Sequence, residues 1–423
     1  MDKKQSLFLG CVADDFTGAS DAASFLVNEG IPALLYNGIP KDADGLKDSA
    51  AVVIALKTRS APVKEAVEDS RRAFRFLIEH GAGQLYSKYC STFDSTPKGN
   101  IGPICDAMLD ELNLPYTLLC PSLPVNKRIV RDGRLYVDGV PLDESHMKNH
   151  PLNPMWDSSI PKLMEEQGKY PSLILNAADL AGTDDVALRK VEEFGKRYER
   201  FYIVPDYEND DQGRRIAEVF GSARLLTGGS GLLAHLANRY KQEYGVPEGF
   251  AVDSKTSGRG ILLSGSCSKA TQGQIQEWRK AGGSALMLSP AQLLDGTQTT
   301  DEIWRFVLEH DNPLIYSAGG DPDGGREAET DSDKASSILE KTMSEIGLRA
   351  FESGYTRIVV AGGETSGAVM LALGFDSFLI GQSIAPGVPI MVPTKHREIR
   401  LALKSGNFGQ PDFFSRALEI SGE

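Results

Sequence analysis

The chain has 423 residues, 41% hydrophobic and 24% charged, with 43 glycines; that is long for one core, and the balance predicts a two-domain, loop-rich α/β enzyme rather than a disordered or fibrous protein. A formal net charge of −13 argues against nucleic acid and anionic membrane as partners, since either needs a basic face to displace counterions, so an anionic ligand must find its positive contacts locally. Five scattered cysteines without a CxxC pair indicate neither a zinc site nor a disulfide framework, and the MDKKQ start and the lack of a long apolar run exclude a signal peptide or span, so the expected location is the reducing cytoplasm.

In chain order, Leu7 to Ala23 (LFLGCVADDFTGASDAA) predicts an apolar strand to Ala13, an acid pair Asp14 and Asp15, a turn through Phe16, Thr17 and Gly18, and an Ala-rich helix carrying Asp21. In an open α/β sheet the crevice lies beyond the carboxyl ends of the strands, so the acid pair suits a polyol or a metal; the alternative is that Asp15 or Thr17 only caps the helix. Strands then follow at Ala33–Tyr36, Ala51–Ala55, Leu85–Tyr89 and Thr117–Leu119, with helices Ala66–His80 and Ile104–Leu112, an alternation that implies parallel βαβ units. Between Pro121 and Pro154 the pattern breaks: Asp132-Gly133 and Asp138-Gly139 flank Arg134–Val137 and predict a hairpin insertion carried on the sheet, which reads as a lid, a dimer contact or both and leaves a homodimer open. The alternation resumes with strands Leu173–Asn176, Phe201–Pro205 and Ala223–Thr227 and helices Asp184–Tyr198, Gln212–Phe220 and Leu232–Tyr244. An aperiodic stretch to about Arg259 reads as a linker, so the expected domains are 1–245 and 260–423 joined by 246–259. The second half predicts strands Gly260–Leu263, Ala285–Leu288, Leu314–Ser317, Arg357–Ala361 and Ile390–Pro393, helices Gln272–Ala281, Asp301–Glu309, Ser336–Ser353 and Ser366–Leu373, and a mobile loop over Gly319–Asp333. The fold class is α/β: two domains, each a mainly parallel sheet flanked by helices, with the hairpin in the first.

Three turns in the second half suit an anion. Arg357–Leu373 (RIVVAGGETSGAVMLAL) runs from a β-rich stretch through Gly362-Gly363 to Ser366-Gly367 and a helix, setting free backbone N–H groups at a positive helix terminus. Leu262–Thr271 (LLSGSCSKAT) repeats that logic around Ser264, Gly265, Ser266 and Ser268, and Leu403–Gly409 (LKSGNFG) offers Gly406 and Asn407 for close approach of the backbone. GxxxxGK[ST] is absent, so this is no Walker loop. In the first half, Leu85–Gly102 groups Lys88, Ser91, Thr92, Asp94, Ser95, Thr96, Lys98 and Asn100 after a strand, with Lys57 and Arg59 expected to open into the same crevice. Two weaker signals are Gly229–Ala234, a GxGxxA match with Asp253 roughly twenty residues on, and the His146/His150 pair near Glu144, which reads as loop because Pro151 disfavours helix before it.

Together ADDFTGASD, the Asp94-Ser95-Thr96 segment with Gly99-Asn100, TGGSGLL (Thr227–Leu233), SGSCS (Ser264–Ser268) and AGGETSGAV (Ala361–Val369) resemble the four-carbon acid sugar kinase family over nearly the whole chain. KYCSTFDSTPKGNIGP (Lys88–Pro103) and HPLNPM (His150–Met155) look like its 3-oxo-tetronate kinase branch rather than the threonate and erythronate kinases. The resemblance implies that residues 1–245 bind the acid sugar and 260–423 bind ATP, with phosphate passed to the terminal 4-hydroxyl. On that reading Asp14 or Asp15 is the catalytic base; Arg59 and Lys88 hold the substrate carboxylate, and Asp94, Ser95 and Asn100 complete the sugar site. Ser266, Gly363, Glu364, Thr365, Ser366 and Gly406 hold ATP, Mg²⁺ bridges the phosphates, and its protein ligands stay unassigned. The competing expectations are a threonate/erythronate 4-kinase, an NAD-dependent hydroxy-acid dehydrogenase using Gly229–Ala234, and a non-catalytic acid-sugar-binding protein.

Overall fold

Runs such as Leu9–Ala13 (LGCVA) and Ala51–Ala55 (AVVIA) are apolar on both faces and are fully buried as strands, the pattern of a parallel sheet covered by helices on both sides. The computed structural model describes residues 7–41, 46, 49–149, 153–246, 252–317 and 332–423. The chain divides into two units, Met1–Phe250 and Ala251–Glu423.

The first unit runs β1 Leu9–Ala13, α1 Phe16–Asn28, β2 Ala33–Asn37, β3 Ala51–Ala55, α2 Val63–Glu79, β4 Gln84–Lys88, α3 Ile101–Glu111, β5 Tyr116–Leu118, β6 Arg128–Arg131, β7 Arg134–Val137, β8 Val140–Pro141, α4 Ile160–Glu165, β9 Ser172–Leu175, α5 Ala177–Ala181, α6 Asp184–Gly195, β10 Phe201–Pro205, α7 Asp210–Phe220, β11 Leu225–Gly228 and α8 Gly231–Tyr244. Its main sheet is parallel in the order β11-β4-β1-β3-β2. The chain therefore leaves β1 to one side for β2 and β3 and to the other for β4 and β11. That reversal opens a crevice at the carboxyl end of β1, between β3 and β4. A second parallel sheet, β5-β10-β9, stands beside it.

The hairpin forms as expected, with positive φ at Asp132 (48°), Gly133 (70°), Asp138 (53°) and Gly139 (82°), the mirror-image turns that suit strand twist. It is not carried on the main sheet, however. β6, β7 and β8 make their own antiparallel sheet, tied to the second parallel sheet's end by the Val130–Tyr207 bridge.

The second unit runs β12 Gly260–Ser264, α9 Lys269–Lys280, β13 Ala285–Leu288, α10 Pro290–Asp295, α11 Thr300–Glu309, β14 Leu314–Ser317, α12 Ser332–Glu352, β15 Arg357–Ala361, α13 Gly363–Leu373, β16 Ser377–Ala385, β17 Val388–Pro393, β18 Arg400–Lys404 and α14 Phe413–Ser421. Its strands lie in the order β16-β17-β18-β15-β12-β14-β13, and here too the chain reverses about its first strand, between β12 and β15. The sequence pattern does not predict β16 and β18. Gly381, Gln382 and Ser383 interrupt the apolar run of β16 where its register with β17 shifts, and β18 carries Arg400 and Lys404 at its ends, both buried. β17 is antiparallel to both neighbours, so this sheet is mixed at one side. The Gly319–Asp333 loop reading falls outside the described residues except where α12 begins, as do His150 and 247–251 of the linker.

Gly228 ends β11 and bridges to Cys120, joining the two parallel sheets of the first unit. A Cβ there would lie 2.3 Å from the Cys120 carbonyl oxygen and 2.7 Å from Tyr86 Oη. Gly228→Ala is expected to cost about 1–3 kcal/mol by overpacking, read as a lower urea midpoint at unchanged slope; an unmoved midpoint would mean that this junction has slack.

Candidate active site

The turn after β1 shapes the first unit's pocket. Asp15 is the N-cap of α1: its Oδ1 accepts from the Gly18 amide at 2.7 Å and its Oδ2 from Thr17 Oγ1 at 2.8 Å. Capping turns Asp15 inward to the helix and leaves Asp14 facing the crevice. There a pocket is lined by Asp14, Thr58, Arg59, Lys88, Asp94 and Asn100 over an apolar floor that includes Ile101 and Ile104. Five residues far apart in sequence and expected at one site are thus together. Asp15 and Ser95 are not among the lining. Ser95 Oγ donates to Gln167 Oε1 (2.9 Å), which also accepts from the Gly102 amide (3.0 Å), so that hydroxyl serves the scaffold. Lys57 is exposed and also outside the lining.

Arg59 grips Asp14 in a fork, Nε to Oδ2 and Nη2 to Oδ1, both at 2.9 Å, and Nη2 lies 3.1 Å from Asp15 Oδ1. The expectation that Arg59 is free to hold a substrate carboxylate is thereby narrowed, since Nε and Nη2 are committed to the acids. Loss of hydration pushes the Asp14 carboxyl above the ordinary range, with Arg59 opposing and the Asp15 charge adding. For Asp15 the same burial is outweighed by Arg59, Lys88 and the two capping hydrogen bonds, which hold it below the ordinary range.

Two supports order the pocket wall. Asn100 donates from Nδ2 to the carbonyls of Thr58 (2.6 Å) and Ala61 (2.8 Å), fixing the loop that carries Arg59, while its Oδ1 is a buried acceptor without a protein partner. Phe93, fully buried, is held at φ 51° with its ring edge-on to Tyr89, a conformation that costs a bulky residue about 1–3 kcal/mol. It presents the next residue, Asp94, whose Oδ1 accepts from Thr92 Oγ1 at 2.7 Å.

Asp21 reads from the sequence only as part of the helix, yet it belongs to the site. It is buried, with Oδ2 3.7 Å from Lys88 Nζ and Oδ1 unpartnered, and Lys88 Nζ also donates to the Tyr89 carbonyl at 2.9 Å. Burial lifts Asp21 to about 6, with Lys88 opposing. An acid among Ala19, Ala22 and Ala23 on a small-residue stripe was the available signal. Gly18 completes the fit, since a Cβ there would lie 2.3 Å from Asp15 Oδ1 and 3.3 Å from Lys88 Nζ.

In the second unit, the turns after β12, β15 and β18 meet at the carboxyl ends of three adjacent parallel strands. The Gly265 amide donates to Ala361 O (3.0 Å), the Gly362 amide to Lys404 O (2.9 Å), and Ser268 Oγ and Thr271 Oγ1 to Gly406 O at 2.6 and 2.8 Å. Glycine is required by contact: a Cβ at Gly265 would lie 2.0 Å from Thr365 Oγ1, and one at Gly406 2.5 Å from Ser266 Oγ. Gly362 caps α13 at φ 121° with no side-chain cap, and the Ser366 amide closes the first turn on Gly362 O at 2.9 Å. The amides of Gly363, Glu364 and Thr365 therefore stand at the open helix terminus, whereas that of Ser366 is spent and its buried hydroxyl is unpartnered. Gly363 and Glu364 are exposed, Thr365 and Ser366 buried.

The GxGxxA match has a packing origin. Cβ atoms at Gly229 and Gly231 would lie 2.6 and 2.4 Å from the carbonyls of Pro121 and Ser122, so these glycines admit a neighbouring backbone rather than a dinucleotide.

Residues 9–236 match the family described as a sugar-binding N-terminal domain, and 261–414 the nucleotide-binding C-terminal domain. Curated relatives named 3-oxo-tetronate kinase include one from Brucella melitensis, 41% identical over 98% of this chain and 96% of that protein, and one from Haemophilus influenzae, 41% identical over 97% and 98%. A solved Salmonella typhimurium LT2 structure, described provisionally as a tRNA synthase, superposes with a TM-score of 0.86 at 39% identity, covering 97% of this chain and 98% of that one. The chain belongs to the four-carbon acid sugar kinase family, and its curated relatives place it with the 3-oxo-tetronate kinase branch.

Because Asp21 titrates higher in the folded chain than in the unfolded one, its contribution to stability is complete below about pH 4 and is lost as pH rises through about 6. Chemical denaturation of the parent and Asp21→Asn across pH 4–7 should show the parent losing roughly 3 kcal/mol relative to the variant over that window; parallel curves would refute the assignment.

Proposed function

We infer that this chain is an ATP-dependent kinase that phosphorylates the terminal 4-hydroxyl of a 3-oxo-tetronate to give its 4-phosphate. The observation that carries the reading is likeness to 3-oxo-tetronate kinases at 38–41% identity along 97–98% of the chain. A pocket in the sugar-binding half lined by two acids, two cations and an amide, groups able to bind hydroxyls and a carboxylate together, supports it. The tRNA synthase description of the Salmonella structure sits poorly with an acidic chain of net charge −13.

Asp14 is the general base of choice over Asp15. It faces the pocket, and its raised pKa gives it the greater proton affinity, whereas both Asp15 oxygens are engaged by the helix cap. In the step, Asp14 takes the proton of the 4-hydroxyl, the oxygen bonds to the γ-phosphorus of ATP, and the bond to ADP breaks. Arg59 holds Asp14 in line and, with Lys88, faces the carboxylate of the acid sugar with positive charge; the unpartnered Asn100 Oδ1 accepts from its 2-hydroxyl. The open amides of Gly363–Thr365, with Ser266 and the Gly406 turn, receive the ATP phosphates.

Among the described residues there is no cluster of three or more side chains able to hold a metal. Mg²⁺ would be carried mainly by phosphate oxygens and water, with the exposed Glu364 beside the open end of α13 as the carboxylate on offer. The ion would supply charge neutralisation at the phosphates. No described helix is long and apolar enough to cross a membrane. Cys11, Cys90, Cys105, Cys120 and Cys267 are free thiols, which supports a reducing, cytoplasmic setting.

An ADP-release assay with 3-oxo-tetronates, threonates and erythronates of both hands should give turnover with a 3-oxo acid; turnover confined to a threonate or erythronate would move the chain to another branch. Asp14→Asn should lower kcat about 10²–10⁴-fold with KM little changed. Asp15→Ala should instead cost about 1 kcal/mol of stability through the lost cap and keep most turnover; the reverse pattern would exchange their roles. Since the base must be ionised, kcat/KM should fall on the acid side through a pKa above the ordinary aspartate range.

A further inference from the structure

The second unit buries a lysine that neither the motif reading nor the phosphotransfer scheme uses. Lys404 ends β18 and is fully inaccessible. Its ammonium donates to Thr271 Oγ1 (2.8 Å), Gly406 O (2.9 Å) and Ser405 O (3.1 Å), and stands 5.6 Å over the Phe413 ring. All three donors are used and every acceptor is neutral. A buried cation is ordinarily paired with an acid. Lys88 in the first unit has Asp21; Lys404 has none among the described residues. From the elements packed on it come Thr271 of α9, Phe413 of α14, Ala361 of β15 and the Ser405 and Gly406 carbonyls; β17 and α13 also pack on β18, and Glu364, the acid of α13, is exposed, so burial alone governs the ammonium's titration. Gly406 O is the point of convergence. It accepts from Ser268 Oγ, Thr271 Oγ1 and Lys404 Nζ together, so the ammonium locks the β18 turn to the β12 turn and the head of α9.

We propose that Lys404 is the positioning residue of the nucleotide half: an ammonium that fixes the Gly406 turn from beneath and whose missing counter-charge is the polyphosphate bound above it. This rests on reading the three turns as the nucleotide site. Serine, threonine and glycine supply shape and hydrogen bonds there, and Lys404 supplies a protonatable group on the protein side. Its three bonds keep it from the phosphates themselves, so it acts through the Gly406 turn and its field, and a low-dielectric surrounding makes that field reach further than in water. Desolvation lowers its pKa to about 7 in the free chain. A polyanion on that site stabilises the charged form, so nucleotide binding draws a proton onto Lys404.

Calorimetric titration of the full chain with Mg²⁺–AMP-PNP, in buffers of different ionisation enthalpy from pH 6 to 9, reads the protons taken up. The parent should gain a fraction of a proton that is greatest above pH 7 and falls away toward pH 6. Lys404→Met should remove that uptake and weaken nucleotide binding by at least about 10-fold, through loss of its field and of the brace on the Gly406 turn. Lys404→Arg should bind without uptake, because its charge is permanent. A merely structural lysine would leave proton uptake the same in parent and variants, and that result, or a parent that binds with no proton uptake at any pH, overturns the proposal. If Lys404→Met fails to fold, the parent profile and Lys404→Arg still decide. A parent that binds no nucleotide would instead overturn the reading of the site on which the proposal rests.

Discussion

A guanidinium fork on a carboxylate at the end of the first strand is the interaction on which the sugar-binding half depends. Asp14 faces an apolar-floored pocket, and there it loses hydration. Arg59 returns part of that loss through two hydrogen bonds of 2.9 Å. Their placement is a matter of backbone: the Thr58 amide donates to the Asp14 carbonyl at 3.0 Å, the Asp14 amide to Lys88 O at 3.0 Å, and Asn100 ties down the carbonyls on either side of Arg59's loop. Strand order makes this economical, because a reversal about β1 leaves its carboxyl end flanked by two strands whose following loops both turn into the same space.

Neighbouring acids diverge in role for a similar reason. A helix that starts right after the strand needs an N-cap, and Asp15 fills that position with the geometry of a capping side chain. The Arg59 and Lys88 charges, with the two cap donors, hold its proton affinity down against burial, while burial raises that of Asp14. Two adjacent carboxylates thus differ in task, one capping a helix and one lining the pocket, and differ in proton affinity through what surrounds them.

Both units follow one plan with opposite electrostatics. Each reverses about its first strand and gathers turns at the carboxyl ends of adjacent parallel strands. The sugar-binding unit buries cations beside acids, Arg59 with Asp14 and Asp15 and Lys88 with Asp21, a set suited to a small hydroxylated acid. In the nucleotide-binding unit, open amides and a lysine without an acid meet at the turns, a set suited to polyphosphate. Net charge of −13 is compatible with both, since each site carries its own local cations.

Read alone, the sequence establishes the alternation of strands and helices, because strands buried on both faces are continuous apolar runs and the helices between them are amphipathic. It also establishes the turns, because Asp-Gly hairpins and strand–glycine–helix junctions are written in adjacent residues, and it exposes the family through five motifs in order. Strands β16 and β18 escaped it, as one is broken by Gly381–Ser383 and the other is edged by buried Arg400 and Lys404, whose neutral hydrogen-bonding surroundings come from α9 and the β18 turn. Sequence could assemble Asp14, Arg59, Lys88, Asp94 and Asn100 as candidates yet not assign them. That Asp14 rather than Asp15 faces the pocket, that Ser95 turns to Gln167, that Asp21 stands behind Lys88 and that Gly229 and Gly231 only admit backbone all depend on distant partners, such as Arg59, 45 positions from Asp14, and Gln167, 72 from Ser95. Such pairings arise from strand order and close packing, which no local pattern encodes.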